Sequence, residues 1–370
     1  MTGRVLFLAA HRPGRAPNQR FRFEQYTDFL HDNGLECELS YLLDERADRV
    51  LYRPGRAADK GWILARALAR RLRDVARSRR FDLVVVVRES FFAGGAFIEA
   101  MLARSGAALA FDFDDALWCL DVSPANRRWD WLKAPSKTGR IIALADLVLA
   151  GNEHLAGYAR RHTAADRVVV MPTTIDTELY RPRPRRQPGG PVRIGWSGST
   201  STIKHFALAL PVLTELRARF GDRVEFTVIG DGDYRHEPLD IAGKPWSRAS
   251  ELDDLAGFDI GIMPLPDEDW ARGKCGLKGL QCMALAVPVV MSPVGVNRAI
   301  IDDGGNGMLA SSDAEWVDKL GRLVESAELR AELGDAGRQT VVERYSVAAH
   351  RDRYLATLAG VIARRREGRR

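Results

Sequence analysis

The sequence of 370 residues has only four cysteines, Cys37, Cys119, Cys275 and Cys282. None of them forms a C-x-x-C pair, and the spacing of the last two fits no common zinc pattern, which argues against a zinc site or a disulfide framework. Free thiols in a reducing compartment are therefore expected. No stretch reaches the roughly 18–20 apolar residues that span a bilayer, and the first apolar run, LFLAA, is shorter than a signal-peptide core. We expect a cytoplasmic protein, with peripheral attachment to the inner face of the membrane left open.

Several catalytic signatures are also missing. The seven histidines form no H-E-x-x-H pattern, no G-x-S-x-G elbow is present, and AHRPGRAPNQ after the first apolar run contains no G-x-G-x-x-G. These absences count against a zinc peptidase, an α/β-hydrolase and a nicotinamide-dependent dehydrogenase. The net charge is +6, but no aromatic-rich basic platform accompanies it, so no nucleic-acid partner is expected.

The sequence does contain two series of short β-branched runs that alternate with amphipathic segments. The run Leu83–Val87 is apolar throughout, which is typical of a strand buried on both faces, and residues 181–191 have a linker composition, RPRPRRQPGGP. This order predicts an α/β protein with two Rossmann-like, doubly wound parallel-sheet domains facing across a cleft. The expected limits are 1–180 for the first domain, 181–191 for the linker, 192–345 for the second domain and 346–370 for a terminal helix that returns to the first domain.

Open α/β sheets bind ligands at the carboxyl ends of their strands, so functional residues are expected just after predicted strands. Residues 195–204, GWSGSTSTIK, follow one strand and precede a helix. The small residues Gly198 and Ser199 let backbone N–H groups approach an anion, and Lys204 adds a positive charge. The alternative interpretation is a Ser/Thr-rich helix cap with an exposed lysine.

A second glycine-containing stretch, Gly230-Asp231-Gly232, follows another predicted strand. Its glycines allow the chain to turn tightly and to approach a ligand. An ordinary D-G turn explains the same residues, and both interpretations stay open.

The strongest candidate is the stretch RGKCGLKGLQ at residues 272–281, which leads into a predicted helix. Gly273 and Gly276 are expected to expose backbone amides at the helix start. Lys274 and Lys278 are four residues apart and can face one anion, and Gln281 lies on the same face one turn further on. The alternative is a pair of solvated surface lysines.

An acidic cluster, Asp112, Asp114 and Asp115, follows a predicted strand of the first half. Neighbouring carboxylates raise each other's pKa, which suits a general base, but a divalent-metal site and a helix cap are alternatives. Four further charged residues also follow strands, where they can contact phosphate or acceptor or can form solvated ion pairs: Arg20, Arg22, Arg88 and Glu89.

The segment from Arg66 to Arg80 reads RALARRLRDVARSRR. Its apolar positions fall broadly on one helical face and its arginines on the other. Such a helix can lie on anionic lipid, or it can pack its apolar side on a sheet and leave the arginines in water.

An ordered set of motifs resembles glycosyltransferase family 4, the retaining, nucleotide-sugar-dependent enzymes of GT-B fold. The set comprises GWSGSTSTIK ending at Lys204, VIGDG ending at Gly232, DIGIMPL from Asp259, GLKGLQCMALAVPVV from Gly276 and SPVGVNRAIIDDGGNG from Ser292. The sequence departs from the E-x7-E pattern of that family, since Gly273 and Gln281 occupy those positions. It looks like a branch in which lysines replace the missing positive charge of the phosphate loop.

The resemblance implies a transferase of cell-envelope polysaccharide biosynthesis that moves a sugar from a nucleotide diphosphate sugar, with retention, to an acceptor hydroxyl. The acceptor class stays open among lipid-linked, polysaccharide and small-molecule acceptors, and no metal or other cofactor is expected. The implied catalytic residues are Asp112, Asp114, Asp115, Lys204 and Lys278. The implied acceptor contacts are Arg20, Arg22, Arg88 and Glu89. The implied donor contacts are Gly198, Ser199, Lys204, Gly230, Asp231, Gly232, Trp246, Lys274, Cys275, Gly276, Leu277, Lys278 and Gln281. The alternative is an inactive GT-B scaffold that binds a nucleotide or a glycan.

Overall fold

The computed structural model describes residues 2–51, 55–119, 134, 136–184 and 189–368. The chain divides into two compact units, residues 1–173 with 350–370, and residues 174–349. The predicted domain limits were 180 and 345. Residues 185–188 of the predicted linker and residues 369–370 of the predicted terminal helix lie outside the described residues.

The first unit is built on a six-stranded sheet with the order β2-β1-β3-β4-β5-β6, and all of its strand pairs are parallel. Its strands are β1 (Gly3–His11), β2 (Leu35–Leu43), β3 (Leu83–Val87), β4 (Ala108–Phe113), β5 (Leu147–Ala150) and β6 (Val168–Val170). Its helices are α1 (Pro17–Arg20), α2 (Thr27–Asp32), α3 (Glu45–Leu51), α4 (Ala57–Arg77), α5 (Phe97–Ala103), α6 (Lys137–Leu144) and α7 (Glu153–Ala159). Every residue of β3 and β4 is buried, so helices cover both faces of the sheet.

The second unit is built on a five-stranded parallel sheet with the order β13-β12-β11-β7-β8, beside a short antiparallel pair, β10-β9. Its strands are β7 (Val192–Ser197), β8 (Val224–Ile229), β9 (Arg235–His236), β10 (Ile241–Ala242), β11 (Ile260–Met263), β12 (Val289–Met291) and β13 (Met308–Leu309). Its helices are α8 (Ile203–Phe206), α9 (Leu210–Phe220), α10 (Glu251–Ala256), α11 (Asp269–Arg272), α12 (Leu277–Ala284), α13 (Asn297–Ile300), α14 (Asp313–Glu325) and α15 (Ala327–Arg344). The two parallel α/β sheets confirm the predicted fold class.

The last helix, α16 (Val347–Glu367), belongs to the first unit from His350 onward. Tyr354 is buried there and stacks on Tyr26, with 4.6 Å between ring centroids. Near the end of the helix, the guanidinium of Arg366 donates to Asp82 at 2.7 Å. The predicted return of the terminal helix to the first domain is therefore present.

The predicted division of α4 into an apolar buried face and an arginine-rich outer face has exceptions at Arg71 and Leu72. Arg71 and Asp74 are buried, whereas Leu72 is exposed. The buried pair is stable because its polar groups have hydrogen-bond partners. Arg71 donates to Asp74 Oδ2 at 2.9 Å and to the carbonyl oxygen of Ala9 at 2.6 Å. A charged pair with these partners occupies a place that the periodicity assigns to apolar side chains.

Candidate functional site

The second unit gathers the three predicted lysines around two tryptophans. The ammonium group of Lys274 lies 3.5 Å from the ring centroid of Trp270, and that of Lys204 lies 4.9 Å from the same centroid. The ammonium group of Lys278 lies 5.5 Å from the ring centroid of Trp196. Lys204 lies on α8, after β7, whereas Lys274 and Lys278 follow β11, which is the neighbour of β7 in the sheet. The cation–π contacts orient the lysines without supplying a negative charge.

Lys278 is half-buried, and its charge is disfavoured. Burial, and then the positive charge of Lys274, lowers the pKa of Lys278 to about 7. Among the residues that the structure describes, no carboxylate forms an ion pair with this amine. A bound anion would favour its protonated form again, so this position is suited to a phosphate.

Gly276 allows the chain to enter α12 beside these lysines. Its φ is +71°, and a Cβ atom there would lie 2.3 Å from Cδ1 of Ile300. The first N–H groups of a helix have no partner within the helix, so the backbone at Leu277 and Lys278 offers donors to an anion. The side chain of Cys275 is buried, with its sulfur 3.8 Å from the carbonyl oxygen of Gly273.

Three of the predicted phosphate-binding amides are already used within the protein. The N–H of Gly198 donates to the carbonyl oxygen of Ile229 at 2.9 Å, and the N–H of Ser199 donates to Oγ1 of Thr202 at 3.0 Å. The N–H of Gly273 donates to the carbonyl oxygen of Trp270 at 3.2 Å. These three N–H groups therefore have partners within the protein, and a contact of their residues with a donor stays a prediction.

The turn at Gly230 and Gly232 brings backbone segments close together. Gly230 has a φ of +124°, and a Cβ atom there would lie 1.6 Å from the carbonyl oxygen of Gly198. Asp231 accepts the N–H of Asp233 at 3.0 Å, which closes the turn. The close approach explains the glycine at position 230. A contact of this turn with a ligand stays a prediction.

A buried network holds Gln281 and Trp246. The amide nitrogen of Gln281 donates to the hydroxyl of Tyr180 at 3.0 Å and to Oε1 of Glu251 at 3.3 Å. The indole N–H of Trp246 donates to Oε1 of Glu251 at 3.0 Å, and the Tyr180 hydroxyl donates to Oε2 at 3.1 Å. The amide donor of Gln281 is thus engaged inside the protein, which argues against its predicted use toward a donor sugar.

In the first unit, Arg88 gathers two of the predicted carboxylates. Arg88 follows β3 with a φ of +65°, and its N–H donates to the carbonyl oxygen of Asp112 at 2.7 Å. Its guanidinium lies 3.2 Å from Oδ1 of Asp114 and also pairs with Asp115. Positive φ is uncommon for a side-chain-bearing residue and is often found at functional sites. Glu89 pairs instead with Lys137, a partner that no sequence pattern predicted.

The predicted roles of Arg22, Asp112 and Arg20 toward ligands are not supported by their placement. Arg22 donates to Oδ1 of Asp112 at 2.9 Å and to Oδ2 at 3.2 Å, and both side chains are about 1% exposed. Burial raises the pKa of Asp112, and Arg22 acts in the opposite direction. Arg20 is also buried, with its guanidinium 4.8 Å from the ring centroid of Phe21. The Arg22–Asp112 pair stabilises the interior at the end of β4.

A further charged cluster at the end of β1 was not predicted. Asp48 lies 3.3 Å from Nδ1 of His11, 3.1 Å from a guanidinium nitrogen of Arg12 and 2.7 Å from Nε of Arg15. Burial raises the pKa of Asp48, but hydrogen bonds from His11 and Arg15 more than offset this and bring it to about 2. No local pattern reveals this cluster, because α3 supplies Asp48 from a distance along the chain.

Within the described part of the chain, no group of three or more His, Cys, Asp or Glu residues is arranged to hold a metal ion. In the same residues, no helix combines the length and the apolar character that crossing a bilayer requires. The expectation of metal-free chemistry stays a prediction.

Comparison with known proteins shows that a family model matches part of the second unit. Residues 191–326 match the family model of glycosyl transferases group 1. The D-inositol 3-phosphate glycosyltransferase of Arthrobacter sp. strain FB24 is 27% identical over 225 residues, which are 53% of this chain and 52% of that protein. The chain spans about half the length of the curated relatives it matches.

Solved structures resemble the whole chain. Anabaena HepE in complex with UDP and glucose has a TM-score of 0.67 at 16% identity and covers 97% of this chain and 100% of its own. Sucrose-phosphate synthase of Thermosynechococcus elongatus has a TM-score of 0.67 at 12% identity over 100% of both chains. At these identities the likeness concerns the fold. The chain therefore has the predicted GT-B fold, and its residues 191–326 match the glycosyl transferases of group 1.

Proposed function

We propose that the chain is a glycosyltransferase that uses a nucleotide diphosphate sugar as donor. The observation that carries this function is the cluster of Lys204, Lys274 and Lys278 at the carboxyl edge of the second sheet, inside the matched family domain. The diphosphate of the donor contacts these lysines and the first N–H groups of α12. The nucleoside lies toward the Gly230 turn and Trp246.

The lysines stabilise the leaving group. Breaking the bond between the sugar and the diphosphate places negative charge on the diphosphate, and nearby cations lower the energy of that transition state. Lys278 contributes most in its protonated form, which the incoming diphosphate itself favours. The three lysines supply the positive charge that a divalent metal supplies in metal-dependent enzymes. The reaction therefore proceeds without a metal cofactor.

The acceptor is assigned to the first unit, where Arg88, Asp114 and Asp115 form a partly exposed charged cluster. An acceptor hydroxyl can donate to either carboxylate, while Arg88 limits their negative charge. Lipid-linked sugars, polysaccharide ends and small molecules are all acceptors to test. Retention of configuration is the expected stereochemistry, and the anomeric proton coupling of the product measures it by NMR.

A thermal-shift screen tests donor binding. Uridine, guanosine and adenosine diphosphates and their sugars are added with and without EDTA, starting with UDP and UDP-glucose because HepE is solved with UDP and glucose. A ligand at about 100 times its dissociation constant stabilises by roughly 2.7 kcal/mol. We expect one nucleotide to raise the melting temperature, Lys204→Ala and Lys278→Ala to abolish the rise, and Arg223→Ala before β8 to preserve it.

Two other outcomes would contradict parts of this proposal. If EDTA removed the effect of the nucleotide, the metal-free mechanism would be wrong. The second candidate function, an inactive scaffold, draws support from Gly273 and from the engagement of Gln281 with Glu251. Binding of a nucleotide sugar without any release of nucleoside diphosphate would favour that scaffold.

A further inference from the structure

The solvent side of α4 carries large apolar side chains between arginines. Trp62 is 67% exposed and Leu72 is 46% exposed. Arg66 and Arg73 are exposed on the same side, and the exposed residues that separate them are alanines. We call this surface, comprising Trp62, Arg66, Leu72 and Arg73, the α4 face.

The helix cannot easily rotate to hide these residues. On the opposite side, Arg71 donates to the carbonyl oxygens of Ala9 and Ser90, both at 2.6 Å, and to Asp74 at 2.9 Å. Asp74 also accepts the hydroxyl of Ser40 at 2.6 Å. Rotation would break buried, charge-assisted hydrogen bonds, so the exposure of Trp62 is a fixed property of the fold.

The charge around the α4 face is positive. α4 carries six basic residues and two acidic ones. Asp59 is exposed one turn before Trp62 and lies 3.6 Å from Arg56. Asp74 is buried and paired with Arg71. Among the described residues Arg73 forms no ion pair, whereas Arg66 lies 3.3 Å from Asp44 at the surface. Such an exposed pair contributes little to stability, so Arg66 can leave Asp44 for another anion. Arg73 can bind an anion directly.

We propose that the α4 face lies on the surface of a bilayer that contains anionic phospholipids. The helix has 21 residues and is therefore about 30 Å long, which allows it to rest along a flat surface. Trp62 and Leu72 enter the boundary between headgroups and acyl chains, and Arg66 and Arg73 bind headgroup phosphates. A nucleic acid would use the arginines but would leave the exposed leucine without an apolar environment.

Cosedimentation of the full chain with vesicles tests this proposal without any nucleotide. We expect binding to vesicles of phosphatidylcholine with phosphatidylglycerol, little binding to phosphatidylcholine alone, and weakening by salt. Each arginine near an anionic surface contributes about fivefold to partitioning, so Arg66→Ala with Arg73→Ala should weaken binding about 25-fold. The double variant Arg104→Ala with Arg353→Ala removes the same charge from exposed positions outside the α4 face and should leave binding unchanged.

The apolar contribution is tested separately. Trp62→Ala with Leu72→Ala should weaken vesicle binding by about tenfold or more, whereas Leu208→Ala, a leucine that is 47% exposed in the second unit, should not. The replaced residues are exposed, so unchanged melting temperatures show that the variants fold. Lipids brominated near the headgroups should quench tryptophan fluorescence, and Trp62→Phe should remove that quenching.

Three results would overturn the proposal. They are equal binding to neutral and anionic vesicles, equal binding by the α4-face variants and their controls, and binding of a DNA duplex through Arg66 and Arg73 without binding to vesicles. Since none of these readouts depends on a sugar donor, they are distinct from a failure of the proposed transferase function.

Discussion

Lys278 is a residue that lowers the stability of the protein and favours the binding of an anion. Its amine is half-buried beside Lys274, and its pKa is lowered to about 7. A folded-state pKa below the unfolded value means that the unfolded chain binds the proton more tightly. Stability is therefore lost as the pH falls from about 10.4 toward 7, and an uncharged residue should relieve this cost.

We predict that Lys278→Met stabilises the ligand-free protein at neutral pH by about 1–3 kcal/mol, since it removes a disfavoured charge from a partly buried place. The same variant should lose the stabilisation by nucleotides. Thermal melting with and without a nucleotide diphosphate measures both effects. Arg223→Met is the matched control at an exposed position. A less stable Lys278→Met protein that still responds to nucleotides would contradict this role.

We also predict that the affinity for a nucleotide diphosphate sugar depends on pH through Lys278. If the bound diphosphate raises the pKa of Lys278 above its free value of about 7, affinity is constant below pH 7 and falls above it. The fall should approach tenfold per pH unit, because one proton is taken up on binding. Titration calorimetry from pH 6 to 9 measures this slope, and Lys278→Met should flatten it.

The Arg22–Asp112 pair makes a different kind of contribution. Removing one partner leaves a buried charge without its counterion, so Arg22→Ala should destabilise the first unit by about 3–5 kcal/mol. Replacing both residues by leucine should cost less than the single change. Chemical denaturation of the three proteins makes the comparison. An equal loss in the single and the double variant would show that the pair acts only through packing.

At the scale of elements, the entry into α12 depends on a glycine. Gly276→Ala imposes a left-handed conformation on alanine and drives its Cβ atom against Ile300, so it should destabilise the protein and abolish nucleotide binding. Gly221 has a φ of +57° and no atom within 4 Å of its would-be Cβ, which makes Gly221→Ala the matched control. It should cost about 1 kcal/mol and leave binding intact. Melting curves and nucleotide titrations of both variants decide the outcome.

The elements that could be predicted from the sequence are those with a continuous apolar pattern. β3 was predicted at its observed limits because its run of five residues is buried on both faces. β2 was missed, since it is an edge strand in which Glu36 and Glu38 interrupt the apolar pattern. The proximity of Lys274 and Lys278 follows from their spacing of four residues at the start of a helix after a strand. Trp270 and Glu251 were not predicted, because their contacts with Lys204 and Gln281 join residues that are distant along the chain.

At the scale of the whole molecule, the two units carry separate parts of the proposed reaction. The second unit offers lysines and a helix start for a diphosphate, and the first offers Arg88 with Asp114 and Asp115 for an acceptor. The α4 face of the first unit adds a surface for lipid. A membrane-linked acceptor would meet the protein at such a surface, which makes lipid-linked sugars the first acceptor class to test.

The most direct measurement is the release of nucleoside diphosphate from the nucleotide sugar that stabilises the chain most. It is made with lipid-linked, oligosaccharide and small-molecule acceptors, with mass spectrometry of the products. We predict stoichiometric release of nucleoside diphosphate and transfer of the sugar to one acceptor class, with a loss of at least a hundredfold in Lys204→Ala with Lys278→Ala, or roughly 2.7 kcal/mol of transition-state stabilisation. Tight donor binding with no release, either to an acceptor or to water, would contradict the transferase function and identify a binding scaffold.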